Sequence, residues 1–261
     1  MVIGAIKKLF VPLSWFGLDF RVFLTSFFEI PRYLRDRRNY SLVLKNHKEW
    51  PMAIYPIFLD RNTDSASLGE YFWQDFLVAK QIISQNPRRH IDVGSRIDGF
   101  IAHLACVRNV EVLDIRPLSA KIENVDFTQW DITDPDPALN GVADCVSCLH
   151  TVEHIGLGRY GDKLDPDGWR KGLKSLINLV APGGGGLWLS VPIGIQRVEF
   201  NAHRIFDPIT IIHAAGKLGM KLCSFFYLTD SGFIESSNVA RDVEMLASKS
   251  YGLGIFFFTK D

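Results

Sequence analysis

The chain is poor in several things, and each shortage excludes a class of protein. It has no net charge, with 29 basic and 29 acidic residues among 261, so no polyanion-binding surface spans it and nucleic acid is not an expected partner. Its four cysteines, Cys106, Cys145, Cys148 and Cys223, are too few and too irregular for a disulfide framework, which points to a reducing, cytoplasmic compartment. Cys145 and Cys148 form a C-x-x-C inside VADCVSCLH. That stretch reads as a buried strand, where positions i and i+3 face opposite sides and cannot chelate one ion, so no metal is expected. No run of about 18 apolar residues is present to span a bilayer, because Pro12, Asp19 and Arg21 interrupt the best candidate. A signal peptide is not expected either, since Lys7 and Lys8 follow the apolar opening with no small-residue cleavage site after them.

What is present is unevenly distributed. Residues 1–50 hold nine Lys or Arg against four acids, a surplus of +5 that leaves −5 for the rest. The same segment carries Phe10, Trp15, Phe16, Phe20, Phe23, Phe27 and Phe28, more aromatic surface than a solvated tail tolerates. FRVFLTSFFEIPRYLRDRR joins aromatics to a basic cluster as interfacial helices do, so residues 1–50 are expected to be helical and to act as a lid on the chain's own domain or as a peripheral membrane contact. Residues 1–60 read as a helical extension, its helices limited by Pro31, Pro51 and Pro56, and residues 61–261 as one domain.

In that domain strands and helices alternate, which predicts a parallel sheet with crossover helices. Leu68 to Gln85 carries Phe72, Phe76, Ala79 and Ile83 at helical spacing, with Tyr71, Gln74 and Asp75 on another face. Strands are read at His90 to Gly94, Val110 to Ile115, near Val125, Ala143 to Leu149, Leu187 to Val191, Lys221 to Leu228 and Tyr251 to Thr259. Asp165-Pro166 and Asp207-Pro208 mark two helix starts, the first followed by an apolar stripe of Trp169, Leu173, Leu176, Ile177 and Val180.

The chemistry gathers at strand ends. HIDVGSRIDGF closes the first strand with Asp-x-Gly and turns into a helix, which brings backbone N–H groups to the carboxyl edge of the sheet. Asp114 ends the second strand, 22 residues after Asp92, and Asp131 follows the third. After the fourth strand His150, Glu153 and His154 spell H-x-x-E-H. That pattern suits an inverted zinc protease only on a long helix, and this one runs within four residues into GLGRYGD. Arg159, Tyr160 and Asp162, then Asn201, His203 and Arg204, lie on loops over the same edge.

Taken in order, IDVGS, LDIRP, WDIT, VADCVSCLHTVEH, LVAPGGGGLWLSVP and AHRIFDPITIIHAAGKLGM resemble the motif series of class I S-adenosylmethionine-dependent methyltransferases over residues 88–260. GEYFWQD with RRHIDVGSRIDGF is similar to a methyltransferase-like domain-of-unknown-function family (DUF268-like). The resemblance implies a Rossmann-like, seven-stranded doubly wound α/β sheet with the last strand antiparallel. It implies S-adenosylmethionine as cofactor, held by Asp92, Gly94, Ser95, Arg96, Asp114, Ile115, Asp131, Ile132 and His150. It also implies methyl transfer to a small-molecule or glycan-type acceptor, with His150, Glu153, His154, His203 and Arg204 as catalytic candidates and self-association left open. The departure lies in the first motif. Family members have glycine at alternate positions after the acid, whereas this chain has Gly94, Arg96 and Asp98, with Gly99 one place late. Either Arg96 pairs with the methionine carboxylate, or the pocket is filled and the chain is a non-catalytic scaffold. A nicotinamide-dependent oxidoreductase is disfavoured because the first strand is not followed by G-x-G-x-x-G.

Overall fold

The computed structural model describes residues 19–44, 52–59, 68–229 and 232–261. Phe10, Trp15, Phe16 and Pro51 lie outside the described residues. The chain divides into two compact units, Met1–Ser67 and Leu68–Asp261.

In the first unit α1 spans Phe20–Leu44 and carries Pro31 in its interior. Pro31 therefore does not limit a helix as its type suggests. A proline removes one N–H from the ladder and kinks a helix, and the turns on either side carry this one through.

In the second unit α2 (Glu70–Gln85) leads into β1 (His90–Val93), a π-turn at Ile97–Ile101 continued by α3 (Ala102–Ala105), β2 (Val110–Asp114), β3 (Val125–Gln129), β4 (Cys145–Leu149) and α4 (Gly168–Leu179). Then come β5 (Gly186–Ile193), a hairpin of β6 (Arg197–Glu199) and β7 (His203–Ile205), α5 (Pro208–Lys217), β8 (Met220–Thr229), β9 (Gly232–Glu235), α6 (Val239–Ala247) and β10 (Gly252–Lys260). One eight-stranded sheet has the order β3-β2-β1-β4-β5-β10-β8-β9. Neighbours from β3 to β5 pair in parallel, and β10 runs antiparallel between β5 and β8. This is the doubly wound sheet with an antiparallel last strand that the motif order implies.

The β6–β7 hairpin, β9 and α6 all depart from the seven-strand reading. β9 adds an eighth strand antiparallel to β8, and α6 precedes β10, capped by Asn238 accepting from Arg241 N at 3.2 Å. One face of the sheet is covered by α4, α5 and α6 through Trp169, Leu173, Ile211 and Val243, the other by α2, the π-turn and α3 through Val78, Ile82, Phe100 and Leu104. Cys148 belongs to the first core and Cys145 to the second, as the alternation of side chains along a strand requires. α2 buries only Ala79 of its expected apolar stripe, together with Val78 and Ile82. Phe72 and Phe76 are exposed and stack on each other, while Gln74 and Asp75 are buried.

The order reverses between β1 and β4, which both leave the sheet at its carboxyl edge. At such a switch point the crossovers run to opposite faces and leave a crevice between them. The strand-end residues surround it.

Candidate functional site

Gly94 follows β1 with φ +75°, and a Cβ there would stand 2.5 Å from Thr151 Cγ2. The turn therefore demands glycine twice, for its backbone and for its closeness to the chain after β4. The late Gly99 has a separate reason. A Cβ at Gly99 would stand 2.3 Å from Asp75 Oδ2, so the missing side chain makes room for the α2 carboxylate. The extra residue that delays it is absorbed in the π-turn Ile97–Ile101, where Ile101 N reaches back to Arg96 O.

Each strand-end acid has a partner inside the chain. Asp92 is fully buried and accepts from Ser95 Oγ (2.7 Å), Ser95 N (3.1 Å) and Ser147 Oγ (2.6 Å). Burial raises its pKa to about 7 against those hydrogen bonds. His90, 2.8 Å from Ser147 on the same buried chain, is pushed down by burial to about 3. Asp114 takes a two-pronged bond from Arg116, at 3.0 Å and 2.6 Å, and also the Arg116 N–H. Asp131 accepts from Thr133 N and Oγ1, both at 2.8 Å. Arg96 and Asp98 both line the wider cavity at this edge. Their side chains are exposed and fork onto each other, at 3.0 Å and 2.7 Å.

Two adjoining cavities share this edge. A narrow apolar slot of about 70 Å³ is lined by Val93, Leu113, Ile115, Trp130, Ile132 and Ile155, with Asp114 and Asp131 at its rim. A wider polar cavity of about 560 Å³ carries Tyr71, Gln74, Asp75, Arg96, Arg159 and Tyr160. Gly94, Asp114, Arg116, His150, His154 and Tyr160 line both. Arg116 and Arg159 lie over the Tyr160 ring at 5.1 Å and 5.3 Å, and Arg96 over Tyr71 at 5.5 Å. Burial raises the pKa of Asp75, so this carboxyl takes up a proton more readily than a solvated one.

His150 sits where the two cavities meet. Its φ of +54° lies in the left-handed region, uncommon for a residue with a side chain. Its N–H is held by Ser190 O and Oγ, and its ring lies 4.8 Å from that of Tyr71. Nδ1 stands 2.8 Å from Oε1 of Glu153, which is fully buried. A carboxylate at Nδ1 keeps the proton there, so the lone pair is left on Nε2, a buried atom with no protein partner. Burial alone would lower the His150 pKa, but the Glu153 hydrogen bond and charge outweigh it and the net direction is upward. His154 goes the other way, lowered chiefly by burial, with Nδ1 2.6 Å from Ala202 O.

His203 and Arg204 stand apart from both cavities. His203 Nε2 lies 3.2 Å from Glu199 Oε2 on the β6–β7 hairpin without forming a hydrogen bond. Arg204 is buried and donates to the carbonyls of Ile155 (2.6 Å), Glu153 (3.3 Å), Asp165 (3.4 Å) and Pro166 (3.5 Å). That fan clamps the 153–166 loop. The loop also contains Gly156, Gly158 and Gly161 at G-x-G-x-x-G spacing, but Asp162 accepts the N–H groups of Gly156 and Gly158, and that of Gly161 goes to Gly158 O. The sequence pattern did not single out Arg116, Trp130 or Thr151. Arg116, two residues beyond a strand-end acid, was the one with a readable signal.

Residues 109–247 match the family described as Caenorhabditis protein of unknown function, DUF268. No curated protein matches. Among solved structures the chain is similar to the [4+2]-cyclase SpnF, with a TM-score of 0.52 and 14% identity over 84% of this chain and 92% of that one. It is also similar to an S-adenosylmethionine-dependent methyltransferase from Clostridium acetobutylicum, with a TM-score of 0.50 and 10% identity over 74% and 92% of the two chains. At such identities the likeness is one of fold. With its sheet order, its glycine turn after β1 and a family match over more than half its length, the chain belongs to the DUF268 family and is built on the class I methyltransferase fold.

Proposed function

We propose that the chain transfers the methyl group of S-adenosylmethionine to a hydroxyl of a small-molecule or glycan-type acceptor, with His150 taking the proton. The observation that carries this reading is the His150–Glu153 pair, which leaves Nε2 buried and without a protein partner on a residue that lines both cavities. The residues fit the cofactor. Leu113, Ile115, Trp130 and Ile132 make a flat apolar sleeve for adenine beside Asp131, Asp114 suits the ribose hydroxyls, and Gln74, Asp75 and Arg96 suit the charged methionine end. When bound, the cofactor supplies a sulfonium methyl already activated for displacement, its carbon–sulfur electron pair leaving with the sulfur.

What remains for the protein is alignment and one proton. Positioning the reactants accounts for about 7–11 kcal/mol of a bimolecular barrier, and a histidine base adds about 10²–10⁴-fold when the nucleophile is a hydroxyl. Glu153 holds the His150 ring and stabilises the imidazolium that forms. Arg159 bonds only the Ala202 carbonyl and the Tyr160 face among the described contacts, which suits it to an anionic group on the acceptor. Residues 1–60 form an extension outside this chemistry, and residues 61–261 carry it.

A second reading has its own support. Asp92, Asp114 and Asp131 each have an internal partner, so none needs a cofactor to explain its place; SpnF, by its name, is a cyclase on this fold. A binding module without methyl transfer is the alternative. Incubating the protein with labelled methyl donor and fractionated cell extracts separates the two. Label in a small anionic or glycan fraction is the expected outcome, and no label in any fraction from folded protein favours the alternative.

A further inference from the structure

α1 is amphipathic in the opposite sense to a solvated helix. Its half-buried side is polar, with Ser26, Glu29, Arg32 and Tyr33. Arg32 pairs there with Glu29 and Asp36, and the Tyr33 ring meets Phe58. The other side is apolar and open: Leu24, Phe27, Phe28 and Leu34 are 39%, 59%, 75% and 55% exposed. The same stripe continues through Arg35 and Arg38, since positions three and four apart share a helix face. Between residues 32 and 38 stand four arginines and one acid, Asp36. The unit's other described segment, residues 52–59, also exposes apolar side chains, with Ile54 68%, Tyr55 82% and Ile57 56% exposed.

Surface of this kind marks a contact. Whatever covers the stripe must take phenylalanine rings and guanidinium groups side by side. A dry protein interface would bury Arg35 and Arg38 at a high desolvation cost. An anionic bilayer surface accepts both, rings at the acyl boundary and arginines at the phosphates. Among the described residues no helix is long and apolar enough to cross a membrane, so the fitting geometry is flat.

We infer that α1 and residues 52–59 dock on an anionic lipid surface, with the Leu24–Phe27–Phe28–Leu34 stripe inserted and Arg35 and Arg38 on the headgroups. The inference stands independently of the methyl-transfer reading. Its test is flotation of the full chain with phosphatidylcholine vesicles with and without phosphatidylserine. Binding to the anionic vesicles should be at least about tenfold tighter and should weaken with added salt. Phe27→Glu/Phe28→Glu should abolish flotation, and Arg35→Glu/Arg38→Glu should remove the preference for anionic lipid, both with unchanged circular dichroism and Tm. No flotation of folded wild type, or flotation indifferent to both pairs, overturns the inference. So does a dimer in sedimentation that Phe27→Glu/Phe28→Glu dissociates while vesicles bind nothing, which would assign the stripe to a second copy.

Discussion

Replacing His150 by asparagine should lower methyl transfer by about 10²–10⁴-fold and leave the affinity for S-adenosylhomocysteine nearly unchanged. Asparagine is chosen because position 150 has φ +54°, a region that asparagine enters at lower cost than most residues. A loss confined to turnover is the signature of a proton acceptor; an equal loss of binding would mean that the ring chiefly builds the pocket. The pH dependence carries the sign. His150 acts as a base only when neutral, and its pKa is raised above the usual 6.5. The rate should therefore rise with pH through a midpoint above that value. Burial opposes the upward shift and Glu153 causes it, so Glu153→Gln should move the midpoint down. Rate profiles of wild type and Glu153→Gln on one acceptor check this. Superimposable profiles would remove His150 from the role.

Gly94→Ala should cost both fold and cofactor site. The residue has φ +75°, and the new Cβ meets Thr151 Cγ2 at 2.5 Å and Oγ1 at 2.8 Å. A side chain in the left-handed region costs about 1–2 kcal/mol, and overpacking a filled site typically about 1–3 kcal/mol. Together they predict a fall in Tm on the order of 5–15 °C for a domain of this size. Thr151→Ala in the same chain should recover the overpacking part and not the backbone part, so the double variant should melt between the two. A Gly94→Ala protein that melts like wild type and binds S-adenosylhomocysteine equally well would show that the turn is looser than its geometry.

How much of this could be read beforehand depended on what kind of signal each part gave. The first three strands and the crevice were legible because acids at strand ends recur with the period of strand, crossover and strand, and β4 and β5 because they are short apolar runs. The motif order then told which edge carries the site. Short elements escaped. β9 is four residues paired only to β8, and β6 and β7, three residues each, pair only with one another. Segments that short carry no reliable period. α6 is capped through Asn238, without the Asp-Pro signature that marks α5.

The orientation of α2 misled for a physical reason. Gln74 and Asp75 turn inward beside Val78, Ala79 and Ile82 because Gln74 bonds Ser190 Oγ and Asp75, and Asp75 enters the space left by Gly99. Burial follows apolarity only where no buried polar partner is waiting. Arg204 shows the converse. An arginine beside histidines reads as an anion site, but four carbonyls of one loop surround its guanidinium, and only tertiary structure brings those together.

The central claim is that the crevice between β1 and β4 binds the cofactor through the Gly94 turn, Asp114 and Asp131. Calorimetric titration with S-adenosylhomocysteine tests it most directly. Wild type should give saturable heat at one site per chain. Asp114→Asn should bind about 10–100-fold more weakly, the worth of hydrogen bonds to a charged group. Folded wild-type protein that gives no heat, or equal affinity in wild type and Asp114→Asn, would contradict the account.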